Sequence, residues 1–366
     1  MPLAGFKSFL IKKNEKMKKK LLILGCGGNA SINFVKCLRM SDSANQYVIY
    51  GTDLNAYYLE ASNVDVKIPY DNTIDKTKFI LKLIDSYKID FIHAQPDPEV
   101  EFLLSEPLLK NYIFEHNLDI WQKFSSKDYC QSVWGNKFEY LCCTYTELLT
   151  RTLIFDRMKK AGNGKVWVRY NKGAGSKAAL PVTTLKQAFN WIAYWVEARG
   201  MEAENFIFAE YLGGSEYAVQ TFWYNGVLKS IYSRERLIYF FGALMPSGQT
   251  STPAVAKSIP PPHYSYDVAI KSILNIDTKP HGIYCVDLKT NNKGDIIPME
   301  VNYGRFFTTS DFFATIGINM PELYVNSFFE KEANEVMPKI EDDNEYLWIR
   351  GLDKVPTLKI TKKIIK

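Results

Sequence analysis

The 366-residue sequence is poor in histidine and shows no cysteine pattern, and each shortage removes a class of chemistry. Only four His are present, at 93, 116, 263 and 281, and the six Cys, at 26, 37, 130, 142, 143 and 285, contain no Cys-x-x-Cys pair. Zinc-ligand spacing is therefore missing, and the thiols read as reduced and buried in a cytoplasmic protein. No Gly-x-Ser-x-Gly elbow and no paired His support a serine or cysteine hydrolase. No apolar run approaches the ~20 residues that cross a bilayer. The basic N-terminus is not followed by an apolar stretch and cleavage site, so a signal peptide is not expected.

Positive charge is scarce where a nucleic-acid groove would need it. The formal net charge is +5, but residues 1–20 contribute +6 and residues 354–366 contribute +5. The body between them is left at −6, so the basicity sits in two tails and nucleic acid is not an expected partner. What the chain has in quantity is apolar and aromatic material, with 46% hydrophobic residues, 22 Phe, 23 Tyr and 7 Trp. That composition builds two or three packed lobes and excludes a disordered chain.

Leu21–Gly25 reads as a buried strand, Ser31–Arg39 as the next helix, Tyr47–Tyr50 as a second strand, Lys76–Tyr87 as a helix and Asp90–Ala94 as a short strand. This alternation predicts a parallel α/β domain over 21–122. Gly25, Gly27 and Ala30, with Asp53 beyond the second strand, loosely match a dinucleotide fingerprint. The same glycines suit any tight strand-to-helix turn, so a substrate-facing crevice and a plain scaffold stay open beside a nicotinamide cofactor. His93-Ala-Gln-Pro-Asp97 follows the last strand and would line that crevice.

In the second half, Val166–Arg169 reads as a strand ending in a cation, followed by a glycine loop, Asn171-Lys-Gly-Ala-Gly-Ser-Lys177. Small residues there let backbone N–H groups approach an anion, although the spacing is not that of a Walker A loop. Leu185–Arg199 is an amphipathic helix, and Phe206–Glu210 is a strand followed by Gly213, Gly214 and Glu216. Arg234 and Arg236 alternate on a predicted strand and so share one face.

Gly282 to Arg305 carries the densest pattern. Two β runs flank Asn-Asn-Lys-Gly and predict a hairpin. Glu300 and Asn302 are two apart on one strand face. A turn centred on Asn292 and Lys293 would set Asp287 opposite Pro298, on the same face as Glu300 and one pair away, a placement that a one-residue slip would undo. Three oxygen ligands from two strands suit Mg2+, a hard cation that keeps phosphates and waters in its shell.

These residues, from Lys127 to Val325, resemble the ATP-grasp superfamily, most nearly a half of the carbamoyl-phosphate synthase large chain. The resemblance implies ATP between two lobes. Residues 21–122 would form the α/β domain before the ATP-grasp domain of 123–330, with a mobile lid over 162–212 and a C-terminal segment, 331–366, ending in a basic tail. Residues 1–20 would be a basic extension. By the same resemblance Arg169, Lys172, Gly173, Gly175 and Ser176 would hold and cover the phosphates. Glu210, Tyr211 and Leu212 would meet the adenine edge, and Glu216 the ribose. Asp287, Glu300 and Asn302 would hold one or two Mg2+, with Mn2+ as a substitute. A further cation would come from Lys127 or Lys137.

The implied activity is a carboxylate–amine (or ammonia) ligase. A substrate carboxylate attacks the γ-phosphate of ATP, and the amine then displaces phosphate from the acyl phosphate. Catalysis is positioning plus cations, with Arg305 at the phosphate and Arg234 and Arg236 at the carboxylate or oxyanion. Phosphorylation of bicarbonate or carbamate, a non-catalytic ATP-binding protein and a nicotinamide oxidoreductase are the other readings. Small-molecule substrates and a homodimer complete the expectation.

Overall fold

The computed structural model describes residues 18–41, 44–115, 117–173, 178–250, 252–337, 344–352 and 354–361. The first sheet is parallel, in the order Val66–Lys67, Tyr47–Thr52, Lys19–Leu24, Phe91–Ala94. Leu21 to Leu24 are apolar without alternation because both faces of the strand are covered. Leu21 and Ile23 pack with Phe34, Val35 and Leu38 of helix Asn29–Arg39. Leu22 and Leu24 pack with Phe79, Ile80 and Leu83 of helix Lys76–Tyr87. The strand starts earlier than expected, because Lys20 is tied into the sheet. Its N–H donates to Asp90 at 2.8 Å and its Nζ to the Tyr87 carbonyl at 2.8 Å.

A second, antiparallel sheet orders Cys142–Thr144, Phe206–Glu210, Val166–Tyr170 and Leu180–Val182. Val166, Val168, Phe206 and Phe208 face Ala188 and Ile192 of helix Leu185–Arg199. That helix begins where the Thr184 side chain accepts from Gln187 N–H and ends at Gly200, whose φ of +63° suits a residue without Cβ.

The third sheet has seven antiparallel strands, in the order Ile296–Tyr303, Gly282–Thr290, Glu216–Tyr224, Val227–Tyr239, Pro253–Ile259, Glu345–Gly351 and Lys354–Thr361. One face packs on helices Lys127–Gly135 and Tyr264–Leu274 through Trp134, Val268 and Ile273. The other shares a continuous core with the first sheet, through Phe306, Phe312 and Tyr324. The C-terminal segment is built into this sheet. Glu345–Gly351 and Lys354–Thr361 extend this sheet, and Trp348 is buried and stacked on Phe312 with ring centroids 5.4 Å apart. The extreme basic ends, 1–17 and 362–366, lie outside the described residues.

Candidate active site

The acidic hairpin forms with a different register. Asp287 pairs directly with Glu300, while Leu288 pairs with Pro298. The loop shifts the register by one residue and a bulge at Met299 shifts it by one more, so the two slips together keep Asp287 and Glu300 on the same face. The bulge also frees the Met299 carbonyl from the ladder, and Arg169 Nη2 donates to it at 3.0 Å. Nearly all the expected site residues meet at one cleft between the second and third sheets, with a cavity volume of about 200 Å3.

At the hairpin end, Glu300 sits among cations. Lys127 Nζ lies 3.7 Å and Arg169 Nη1 3.8 Å from its Oε2. Burial alone would raise the Glu300 carboxyl, but Lys127, Arg169, Arg305 and Arg236 outweigh it and hold the group below its ordinary value. The side chain keeps 25% exposure, so this carboxylate still opens on the cleft. Asp287 behaves oppositely. Burial pushes its carboxyl up and the neighbouring Glu300 adds to that, while the ion pair with Arg236 at 2.6 Å opposes it. Asn302 Oδ1 accepts from Arg305, whose Nε pairs with Asp97 at 3.1 Å.

Of the two candidate lysines, Lys127 is the one in the cleft. It is 8% exposed and donates to the Gly173 carbonyl at 2.8 Å and the Asn171 carbonyl at 3.2 Å. Lys137 instead bonds Asn275 away from the cleft wall, at 2.5 Å. Lys172 is exposed and does not line the cleft. Gly173 reaches the wall, with a φ of +94°. Gly175 and Ser176 lie outside the described residues.

At the other end, Glu210, Tyr211, Leu212 and Glu216 line the same cleft. Glu210 is buried, which pushes its carboxyl up, and it accepts from Leu141 N–H at 3.2 Å. Glu216 accepts from Lys289 at 2.5 Å and from Tyr239 and Gln249. Lys289, Tyr239 and Gln249 were missed by sequence reasoning. Lys289 shares the hairpin face of Asp287 two residues away, a signal that the period of the strand contained.

The glycine turn resolves differently. Asp53 accepts from Gly27 N–H at 3.0 Å and from Asn55 N–H at 2.9 Å, so its carboxylate is consumed inside the turn. A Cβ on Gly27 would lie 2.1 Å from the Tyr58 carbonyl, so this glycine serves close packing. Asp53 is thus not free for a ribose, which speaks against the nicotinamide reading. Gln95 and Asp97, from the segment expected to line a crevice, do reach the cleft or its arginine.

No protein-family model matches the sequence, and no curated protein sequence matches it either. Solved structures do match. The chain has the ATP-grasp fold. An L-amino acid ligase from Bacillus licheniformis superposes with a TM-score of 0.66 at 13% identity, over 91% of this chain and 81% of that one. The N5-carboxyaminoimidazole synthetase of Staphylococcus aureus complexed with ADP gives 0.64 at 11%, over 92% and 83%. The biotin carboxylase domain of Hydrogenobacter thermophilus 2-oxoglutarate carboxylase, with MgADP, ADP and bicarbonate, gives 0.65 at 12%, over 92% and 75%. The parallel α/β sheet before two antiparallel sheets is the arrangement that the ATP-grasp resemblance implied. Among the described residues no helix is long and apolar enough to cross a membrane.

Proposed function

We propose that this ATP-grasp chain is a Mg2+-dependent ligase that activates a substrate carboxylate as an acyl phosphate for attack by an amine or ammonia. The observation that carries this reading is the meeting of Asp287 and Glu300 across one strand pair, with Lys127 and Arg169 beside them and Glu210 to Leu212 at the far end of the same cleft. Among the described residues no three His, Cys, Asp or Glu cluster as a metal group. The donor set is instead two carboxylates and one amide, hard oxygens that suit Mg2+ or Mn2+ shared with phosphates. Mg2+ would neutralise charge on the transferring phosphoryl group.

The protein's own part is positioning. Lys127 and Arg169 would hold phosphate oxygens, and Arg305, already tethered by Asp97 and Asn302, would face the transferred group. Arg236 is committed to Asp287, so its role is to orient a metal ligand as much as to meet the oxyanion. ATP-grasp neighbours with ADP or MgADP bound support the nucleotide assignment. A cytoplasmic location and a homodimer follow as expectations of the same reading, checked by cell fractionation and light scattering.

The test is ADP release from Mg-ATP across carboxylates offered with amino acids, ammonia or bicarbonate. One acid–amine pair should stimulate release, and Glu300→Gln should lose it. Stimulation by bicarbonate alone would transfer the reading to carbamate chemistry. Nucleotide binding without turnover in any mixture would leave a binding protein.

A further inference from the structure

The cations of the cleft differ in one respect. Lys127, Arg169, Arg236, Lys289 and Arg305 each have a carboxylate within 4 Å. Arg234 has none among the described residues, although it is 1% exposed and lines the same cleft. One nitrogen donates to the Thr309 hydroxyl, the guanidinium lies 4.2 Å over the Phe307 ring, and Nε has no hydrogen-bond partner among the described residues. Burial draws its pKa down to about 9, with Arg236 adding to the effect. A buried cation without an anion is costly unless something else supplies one.

The surroundings of Arg234 are those of an anion site. Helix Asn29–Arg39 begins at Gly28 with no side-chain cap and no acid in its first turn, and Ala30 lines the cleft. Asn33 Nδ2 donates to the Thr308 carbonyl at 2.7 Å, which fixes the helix start beside the residue preceding Thr309. The Thr308 hydroxyl is buried, has no partner among the described residues and belongs to a residue on the cleft wall. Uncapped first-turn amides carry the positive end of the helix dipole.

We infer that the Arg234 guanidinium, the Thr308 hydroxyl and the N-terminal amides of helix Asn29–Arg39 form a site for a compact oxyanion on the substrate, a carboxylate or a phosphate. Its role in substrate choice rests on the ligase reading. Arg236, two strand residues away, stands with the acids of the hairpin, so this site is roughly 7 Å farther along the strand. The acid that reacts at the hairpin therefore carries a second anionic group, and bicarbonate alone does not fill the cleft.

Thermal-shift titrations of the full chain test this with sodium sulfate and sodium acetate as probes. They are run at constant ionic strength with saturating Mg-ADP, so that the phosphate end of the cleft is filled. Saturable stabilisation is expected, and the tighter anion tells whether the group is phosphate-like or a carboxylate. Arg234→Met should weaken it about 10-fold or more, and Thr308→Val about 3-fold, as losses of charged and neutral hydrogen bonds do. In turnover, Arg234→Met should raise KM for the acid and leave KM for ATP unchanged. Absence of saturable stabilisation in the unaltered protein overturns the proposal. So does unchanged affinity in Thr308→Val, which carries the test if Arg234→Met does not fold. Mg-ADP binding is read separately in the same experiment. Its failure alone strikes the ligase reading and leaves the anion result standing.

Discussion

Two places in this chain put an acid beside a tight backbone feature, and they end with opposite fates. Asp53 follows a glycine turn, and its two oxygens are taken by Gly27 and Asn55 N–H groups. Glu300 follows a bulge, and its neighbours are cations at 3.7 and 3.8 Å with the carboxylate still open to the cleft. The difference teaches that an acid is available for chemistry when its partners are long, displaceable side chains. It is not available when its partners are short backbone bonds inside its own loop.

The sharpest way to break the comparison is Glu300→Gln, which keeps shape and removes charge. ADP release under saturating substrates should fall by about 100-fold or more, the scale for losing a transition-state charge stabiliser. A loss below tenfold would place Glu300 with Asp53 as structural.

A third acid extends the comparison to one buried without any cation. Glu115 accepts from Tyr324 OH at 2.7 Å and from Ile283 N–H at 3.2 Å, and burial pushes its carboxyl up to about 7. Because the folded value lies above the unfolded one, its contribution to stability is full below about pH 4.5 and is lost as pH rises to about 7. Urea unfolding should show a decline across that window of up to about 3 kcal/mol, at 1.36 kcal/mol per pH unit. Glu115→Gln should remove it, and an unchanged slope in that variant would assign the decline to other groups.

Gly27→Ala should destabilise by about 1–3 kcal/mol in the same assay, since the new methyl meets the Tyr58 carbonyl. Turnover of the folded fraction should be unaffected. The smallest effect is expected of Asp53→Asn, about 1 kcal/mol of stability with ADP release unchanged. A selective loss of nucleotide affinity in either variant would return the glycine turn to the active site.

Much of the fold was legible because its signals are local. Leu21–Leu24 is apolar at every position, and a strand covered on both sides has that pattern. Helix Leu185–Arg199 carries both its stop and its start signal, Gly200 and Thr184. The hairpin acids were legible through the two-residue period of a strand. Their register was not, because the bulge at Met299 leaves no mark in composition. The direction of Lys172 was not legible for a related reason. A glycine loop shows that the backbone can turn, but not which way a neighbouring side chain then points.

The sequence by itself determined which segments are strands and helices, and which face of each strand bears charge, because periodicity and propensity act over a few residues. Only the tertiary structure decided how those charges are matched. It gave Arg236 to Asp287 and Lys289 to Glu216, consumed Asp53 within its turn, and left Arg234 without a carboxylate among the described residues. Each pairing joins residues from different strands or loops, and the energy of a charge depends on what packing places within a few ångströms of it.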